Sequence, residues 1–143
     1  MLSGSRAELR TVLLKQNYES FLSLSKFISE HFQWIEYWSI MQLEKFGFAK
    51  INWNQKFIDT SKEFLILDNV LSMCNATNLN VQLFNFPTCT VPSKWQKLCF
   101  KSISDWKQKY ISECQSCNKK SDCCGFFEWY DQKDGYEYIR AIC

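Results

Sequence analysis

Between Leu9 and Phe86 five apolar segments alternate in length and period, and that alternation restricts the chain to very few folds. Leu9 to Leu14 is short, with Thr11 and Val12 among leucines, and reads as a strand. From Tyr18 to Phe32 the residues Tyr18, Phe21, Leu22, Ile28 and Phe32 fall on one arc, with Ser20, Lys26 and Glu30 mostly off it. That spacing predicts an amphipathic helix with Asn17 as its N-cap. Trp34 to Leu43 is apolar at most positions, as expected of a parallel strand covered on both sides. Phe46 to Asp59 is an irregular connection containing Gly47, long enough to be functional. Thr60 and Glu63 form a capping-box pattern, which predicts a helix from Ser61 to Ala76 with Phe64, Leu67, Val70, Leu71 and Cys74 on one face. Val81 to Phe86 is the third strand, ended by Pro87. Strand, helix, strand, helix, strand in this order implies right-handed parallel crossovers.

Three parallel strands with two helices leave two outer strands with unpaired edges, and little charge on them to discourage further pairing. Leu2 to Glu8 reads like the tail of a preceding connection. The expected architecture is therefore α/β: residues 1–87 form a fragment of a partial parallel (β/α) barrel, and residues 88–143 a small cysteine-rich, loop-rich extension. Composition changes at Pro87, after which turn residues, most cysteines and short aromatic pieces dominate.

In that extension Ile103, Trp106 and Tyr110 give Lys101 to Tyr110 a short helix-like pattern that delivers the chain to Cys114. A two-residue gap separates Cys114 from Cys117, and a five-residue loop returns Cys123. A tight turn brings the second sulfur back beside the first, so three thiolates face one point, with Cys89 upstream as a fourth ligand. Four thiolates suit a [4Fe-4S] cluster or a zinc ion. Adjacent side chains seldom aim at the same centre, so Cys123 is taken as the ligand and Cys124 as a bystander. Gly125 supplies backbone freedom at the turn. Cys74 belongs to a helix face and reads as a core thiol. Cys99 and Cys143 read as structural or free.

Bulk properties narrow the function classes. A chain of 143 residues has room for one core. Its net charge of +2, from 17 basic and 15 acidic residues, gives no electrostatic reason to expect nucleic acid. The 12 Phe, 6 Trp and 6 Tyr are first of all packing material. Eight cysteines, an even number, also permit a disulfide framework. Against it, residues 1–16 mix Arg6, Glu8, Arg10 and Lys15 with apolar positions and hold no signal-peptide stretch. Thiols then stay reduced, and a cytoplasmic location is expected. No run approaches the roughly 20 apolar residues of a membrane span. His31, the only histidine, sits in a helix, which disfavours a Cys and His nucleophile pair. Four glycines form no phosphate loop, and Lys119 with Lys120 reads as a solvated turn.

Lys101-Ser-Ile-Ser-Asp-Trp-Lys107, then Glu113-Cys114, Cys117, and Cys123 through Gly125-Phe126-Phe127, closely resembles the C-terminal region of radical SAM maturases of the His-Xaa-Ser peptide-modification system. Leu9-Arg10-Thr11-Val12-Leu13, Gln16-Asn17, Leu43-Glu44, Gly47-Phe48-Ala49 and Asn52-Trp53 are similar to the later barrel strands of that family, in the same order. The resemblance covers nearly the entire chain, with two departures. The family has a glycine pair where this chain has Cys124 and Gly125. The C-x3-C-x2-C triplet that holds the catalytic cluster of such enzymes has no counterpart here.

The resemblance implies a part of an enzyme in which a reduced [4Fe-4S] cluster cleaves S-adenosylmethionine and the resulting 5'-deoxyadenosyl radical abstracts hydrogen from a peptide. It implies that Gln42, Glu44 and Gly47 lie where the barrel holds part of the cosubstrate, strand ends being where barrels place ligands. Glu44 reads equally well as a solvated loop carboxylate. Cys89, Cys114, Cys117 and Cys123 become an auxiliary cluster site of a SPASM or twitch-like extension. The partners implied are a peptide substrate and a separate N-terminal radical SAM half or partner maturase. A noncatalytic module with a structural four-cysteine zinc, and a remnant whose cysteines are free, are the other expectations.

Overall fold

The computed structural model describes residues 6–143, so Leu2 to Ser5 of the expected leading tail lie outside the described residues. In chain order the elements are β1 (Glu8–Val12), α1 (Lys15–Tyr18), α2 (Phe21–His31), β2 (Tyr37–Met41), α3 (Phe48–Ile51), α4 (Trp53–Lys56), α5 (Leu65–Ala76), β3 (Val81–Phe84), β4 (Cys99–Phe100), β5 (Gln108–Lys109) and β6 (Phe126–Phe127). The first four strands form one parallel sheet in sequential order, β1-β2-β3-β4, and β5 pairs antiparallel with β6. A mixed α/β fold built on a parallel sheet is what the alternating periods imply.

The register shows what each face of the sheet is for. Leu9 stands beside Trp38, Thr11 beside Ile40, and Trp38 and Ile40 beside Val81 and Leu83. Successive residues of a strand face opposite ways, so these share one face. There they meet Phe21 and Ile28 of α2 and Leu67, Val70, Leu71 and Cys74 of α5 in a single apolar cluster. Trp38 is fully buried, stacks on Phe21 at 5.9 Å between ring centroids, and donates its indole N–H to Thr11 Oγ1 at 2.9 Å. Cys74 is buried in that cluster, as its position on the helix face implies.

Glu8, Arg10, Ser39, Gln82, Phe84 and Phe100 occupy the other face. This face is polar and aromatic. Arg10 donates to Glu8 at 2.9 Å and lies 5.6 Å from the Phe84 ring centroid, and Ser39 Oγ bonds the second Glu8 oxygen. Arg10 first and Ser39 second hold the Glu8 carboxyl below the usual carboxylate range. The outer strand β1 thus carries an ion pair in place of the little charge expected there.

Several local expectations are corrected. The helix expected from Tyr18 to Phe32 is broken: Tyr18 closes α1 and α2 starts at Phe21. Asn17 is not an N-cap; it lies inside α1, accepts from the Leu14 N–H and donates to the Val12 carbonyl, folding the turn back on β1. The Thr60 and Glu63 pair does not start a helix at Ser61. Thr60 is buried and donates to Thr90 across the fold, Asp59 accepts the Ser61 N–H at 2.9 Å, and α5 begins at Leu65, whose N–H Glu63 receives. A tertiary partner outcompeted the local capping pattern. The Phe46–Asp59 connection contains two single-turn helices, α3 and α4. The Lys101–Tyr110 helix is absent: a 3-10 turn at Asp105–Lys107 leads into β5, with Ile103 buried and Trp106 exposed.

A fourth strand, β4, joins the sheet beside β3, so four parallel strands replace the expected three. Beyond Pro87 the chain still feeds the sheet's core through Val91 and Trp95. A second cluster gathers Trp53 and Phe57 from α4 and its end with Phe126 and Tyr136, and Cys89 and Cys114 pack against it. No helix among the described residues is long and apolar enough to cross a membrane.

Candidate metal centre

β3 ends at Phe84, where Asn85 adopts a left-handed conformation at φ +64°. Its N–H donates to Ser102 Oγ at 2.8 Å, and Pro87 then leads into the 3-10 turn Thr88–Thr90 that carries Cys89. From the far side, the 3-10 turn Ser112–Ser116 carries Cys114, with the Cys117 N–H bonded to the Cys114 carbonyl at 3.3 Å. A further turn, closed by the Cys123 N–H on the Lys119 carbonyl at 2.9 Å, delivers Cys123 into β6. These three loops bring Cys89, Cys114, Cys117 and Cys123 to line one cavity of about 20 Å³, whose other walls include Thr88, Tyr110, Phe126 and Ile139. All four residues expected as metal ligands thus line the same void.

Peptide donors converge on these sulfurs. Thr88 and Gly125 N–H groups each donate to Cys123 Sγ at 3.3 Å, and the Ile142 N–H donates to Cys117 Sγ at 3.4 Å. The Arg140 backbone beside Cys89 also favours that thiol's charged form. Donors aimed at a sulfur favour its charged form. The Cys124 thiol beside it, then Thr88 and Gly125, pull the Cys123 thiol down to about 5 against the opposing effect of burial. Burial pushes Cys89 up to about 12 and also raises Cys114, and the nearby Cys123 thiolate adds to both. The donors around Cys123 thus favour its thiolate form, and the neighbouring thiols deprotonate when a cation arrives.

All eight cysteines are unpaired, which leaves the disulfide framework unformed. Among the described residues no three Cys, His, Asp or Glu side chains stand close enough to grip one ion. Four sulfurs on one tetrahedral zinc lie about 3.8 Å apart, since each sits about 2.3 Å from the metal. Cys99 and Cys124 were not expected at the site, yet each is close enough to the Cys123 and Cys89 sulfurs for charge on those to raise its own pKa. Cys124 also donates to the Gly125 carbonyl at 3.4 Å. Only the pairing of β4 with β3 brings Cys99 in, and a two-residue strand leaves no periodic signal.

Gly125 is the hinge of the arrangement. Its φ is +66°, and a Cβ there would stand 2.8 Å from the Lys109 carbonyl oxygen. Gly125→Ala should cost about 1–3 kcal/mol from the backbone conformation alone, more with the collision, read as a lower urea midpoint. It should also shift the N–H that serves Cys123.

The expected cosubstrate residues have separate roles. Gln42 is buried, donates to the Ile58 carbonyl at 3.0 Å and accepts the Leu43 N–H at 3.0 Å, so its amide ties the end of β2 to the connection before α5. Glu44 faces Lys107 of the extension at 3.5 Å. Gly47 takes φ +54° before α3, with open space around its Cα. None of the three lines the cavity that the four cysteines share.

Two cavities adjoin the cysteine site. One is aromatic, walled by Trp53, Phe57, Trp129, Tyr130 and Tyr136, and Phe126 separates it from the thiols. The other is a cleft of about 470 Å³ that shares Cys89, Ile139 and Arg140 with the cysteine cavity. No family model, curated protein or solved structure matches the chain.

Proposed function

We propose that the chain is the cluster-bearing, substrate-handling part of a radical SAM peptide maturase, with Cys89, Cys114, Cys117 and Cys123 as ligands of an auxiliary [4Fe-4S] centre. The observation that carries the reading is the convergence of those four thiols, from three separate loops, on one cavity served by inward peptide N–H groups. Sequentially ordered parallel strands, with helices gathered on one face and a polar opposite face, agree with part of a barrel. Hydrogen bonds to sulfur are one of the levers that set a cluster's potential.

The donor set fits the group. Sulfur-only ligation suits iron–sulfur or zinc. When bound, such a centre supplies an electron-transfer station or an anchor for substrate. This chain's own residues then do three things: Thr88, Gly125 and Ile142 steady the thiolates, Phe126 walls the site from the aromatic cavity, and Cys89 presents it to the cleft. Radical generation belongs to a separate N-terminal half or partner maturase carrying C-x3-C-x2-C, and S-adenosylmethionine enters with it. The substrate is a peptide, and the working compartment is the reducing cytoplasm. A structural zinc is the second reading, favoured by one observation: the void of about 20 Å³ suits a single small occupant.

Anaerobic purification followed by metal and sulfide analysis tests the assignment. Iron and sulfide in similar amounts, with a broad absorption band near about 400 nm of the kind expected for such clusters, support it. Colourless protein with zinc moves the site to the second reading. Metal-free protein that also fails reconstitution overturns both.

A further inference from the structure

The cleft beside Cys89 has the volume of a small-ligand site, about 470 Å³ against the ~300–1,000 Å³ typical of such pockets. It opens at the carboxyl ends of β2 and β3, between the approach to α5 (Thr60, Ser61, Phe64) and the loop after β3 (Thr90 to Pro92), where open parallel sheets usually place ligands. Its third wall is the C-terminal segment Glu137–Arg140.

The charges in that wall are unequal. Glu137 is matched by Lys62, which forms an ion pair with it and holds its carboxyl below the usual range. Arg140 has no carboxylate within ion-pair distance among the described residues. Arg140 is exposed and lines both this cleft and the cysteine cavity, beside Cys89. The chain thus holds an uncompensated guanidinium at the rim of a cleft whose remaining surface mixes hydroxyls with Phe64, Val91, Pro92 and Ile139. A guanidinium fork matches a carboxylate in two parallel N–H···O bonds, and apolar walls on either side accept the body that bears it.

We infer that this cleft binds a carboxylate-bearing peptide segment, with Arg140 as the residue that selects the carboxylate and Phe64, Val91 and Ile139 as the walls that receive the neighbouring side chain. Its role as a substrate subsite rests on the peptide-maturase reading; its capacity to bind does not. Because Cys89 and Ile139 line both spaces, a segment held here lies one residue's thickness from the cysteine cavity.

Four probes separate the sources of the carboxylate: N-acetyl-Phe-Gly with a free C-terminus, the same dipeptide as its amide, N-acetyl-Phe-Asp-amide, and acetate. Binding is titrated by nuclear magnetic resonance shifts on purified full-length protein, with and without prior chelation of metal. At least one dipeptide acid should bind about tenfold or more tighter than the amide, charge-assisted hydrogen bonds being about twice as strong as neutral ones. The stronger of the two acids identifies the terminus or the side chain as the source. Arg140→Gln should abolish that preference and Arg140→Lys should keep part of it, with the melting temperature of both variants near that of the parent. Equal binding of acid and amide, acetate binding as well as the dipeptide acids, a preference that survives Arg140→Gln, or no binding of any probe at 20-fold excess over ~1 mM overturns the inference. A preference that persists in metal-free protein leaves the cleft standing even if the cluster assignment fails.

Discussion

Cys117→Ser protein, reconstituted anaerobically with iron and sulfide, will retain little of the metal that the parent chain holds, whereas Cys143→Ser will match the parent. The contrast follows from position. Cys117 lines the cavity with three other thiols and receives the Ile142 N–H, while Cys143 is an exposed terminal residue. Serine keeps the size of the side chain but replaces a soft thiolate with a hydroxyl that does not ionise at neutral pH. Loss of one ligand should lower metal occupancy by about tenfold or more, at least as much as loss of an outer-shell partner. Iron and sulfide quantification per chain checks it, and an equal loss from both variants would refute the ligand set. Binding should also release protons, because burial keeps Cys89 and Cys114 protonated before the metal arrives. Occupancy therefore falls as pH is lowered, since protons compete for the same sulfurs.

Trp38→Ala should be the most damaging change in the sheet. The indole is fully buried, packs on Phe21 and satisfies its N–H on Thr11, so truncation leaves a cavity between β2 and α2 and an unpaired hydroxyl. A cost of about 3–5 kcal/mol is expected for Trp or Phe to Ala in a core, a large part of the ~5–15 kcal/mol total stability of a domain. Equilibrium urea unfolding measures it. A loss under about 1 kcal/mol, the size of an ordinary surface change, would mean that this core is not the one that holds the fold.

Long periodic segments were legible in the sequence because one force, burial of an apolar stripe, decides them. The residues of β1, β2 and β3 and the buried face of α5 lie where hydrophobic spacing puts them, while α2 buries the expected Phe21 and Ile28 but leaves the expected Leu22 exposed. Signals that compete with tertiary partners were not legible. Thr60 has the right neighbour for a capping box, but its hydroxyl finds Thr90, and Asn17 turns its amide to the backbone of β1. The spacing of Ile103, Trp106 and Tyr110 mimics a helix, yet pairing of Lys109 with Phe126 draws that stretch out as a strand. At the candidate site the short turns between Cys114, Cys117 and Cys123 leave those three little freedom, whereas Cys89, 25 residues before Cys114, reaches the same cavity through the fold. The approach of Cys99 and the wall of Arg140 depend on contacts across long chain separations and carry no local signature.

Trp53 and Phe57 precede Pro87 yet pack with Phe126 and Tyr136, while Val91 and Trp95 follow it yet complete the cluster under the sheet. The two halves of the polypeptide are consequently laced through one another. Severed at Pro87 and produced separately, each piece would expose aromatic surface meant for its counterpart and tend to aggregate, whereas co-expression of both would let them reassemble by mutual complementation.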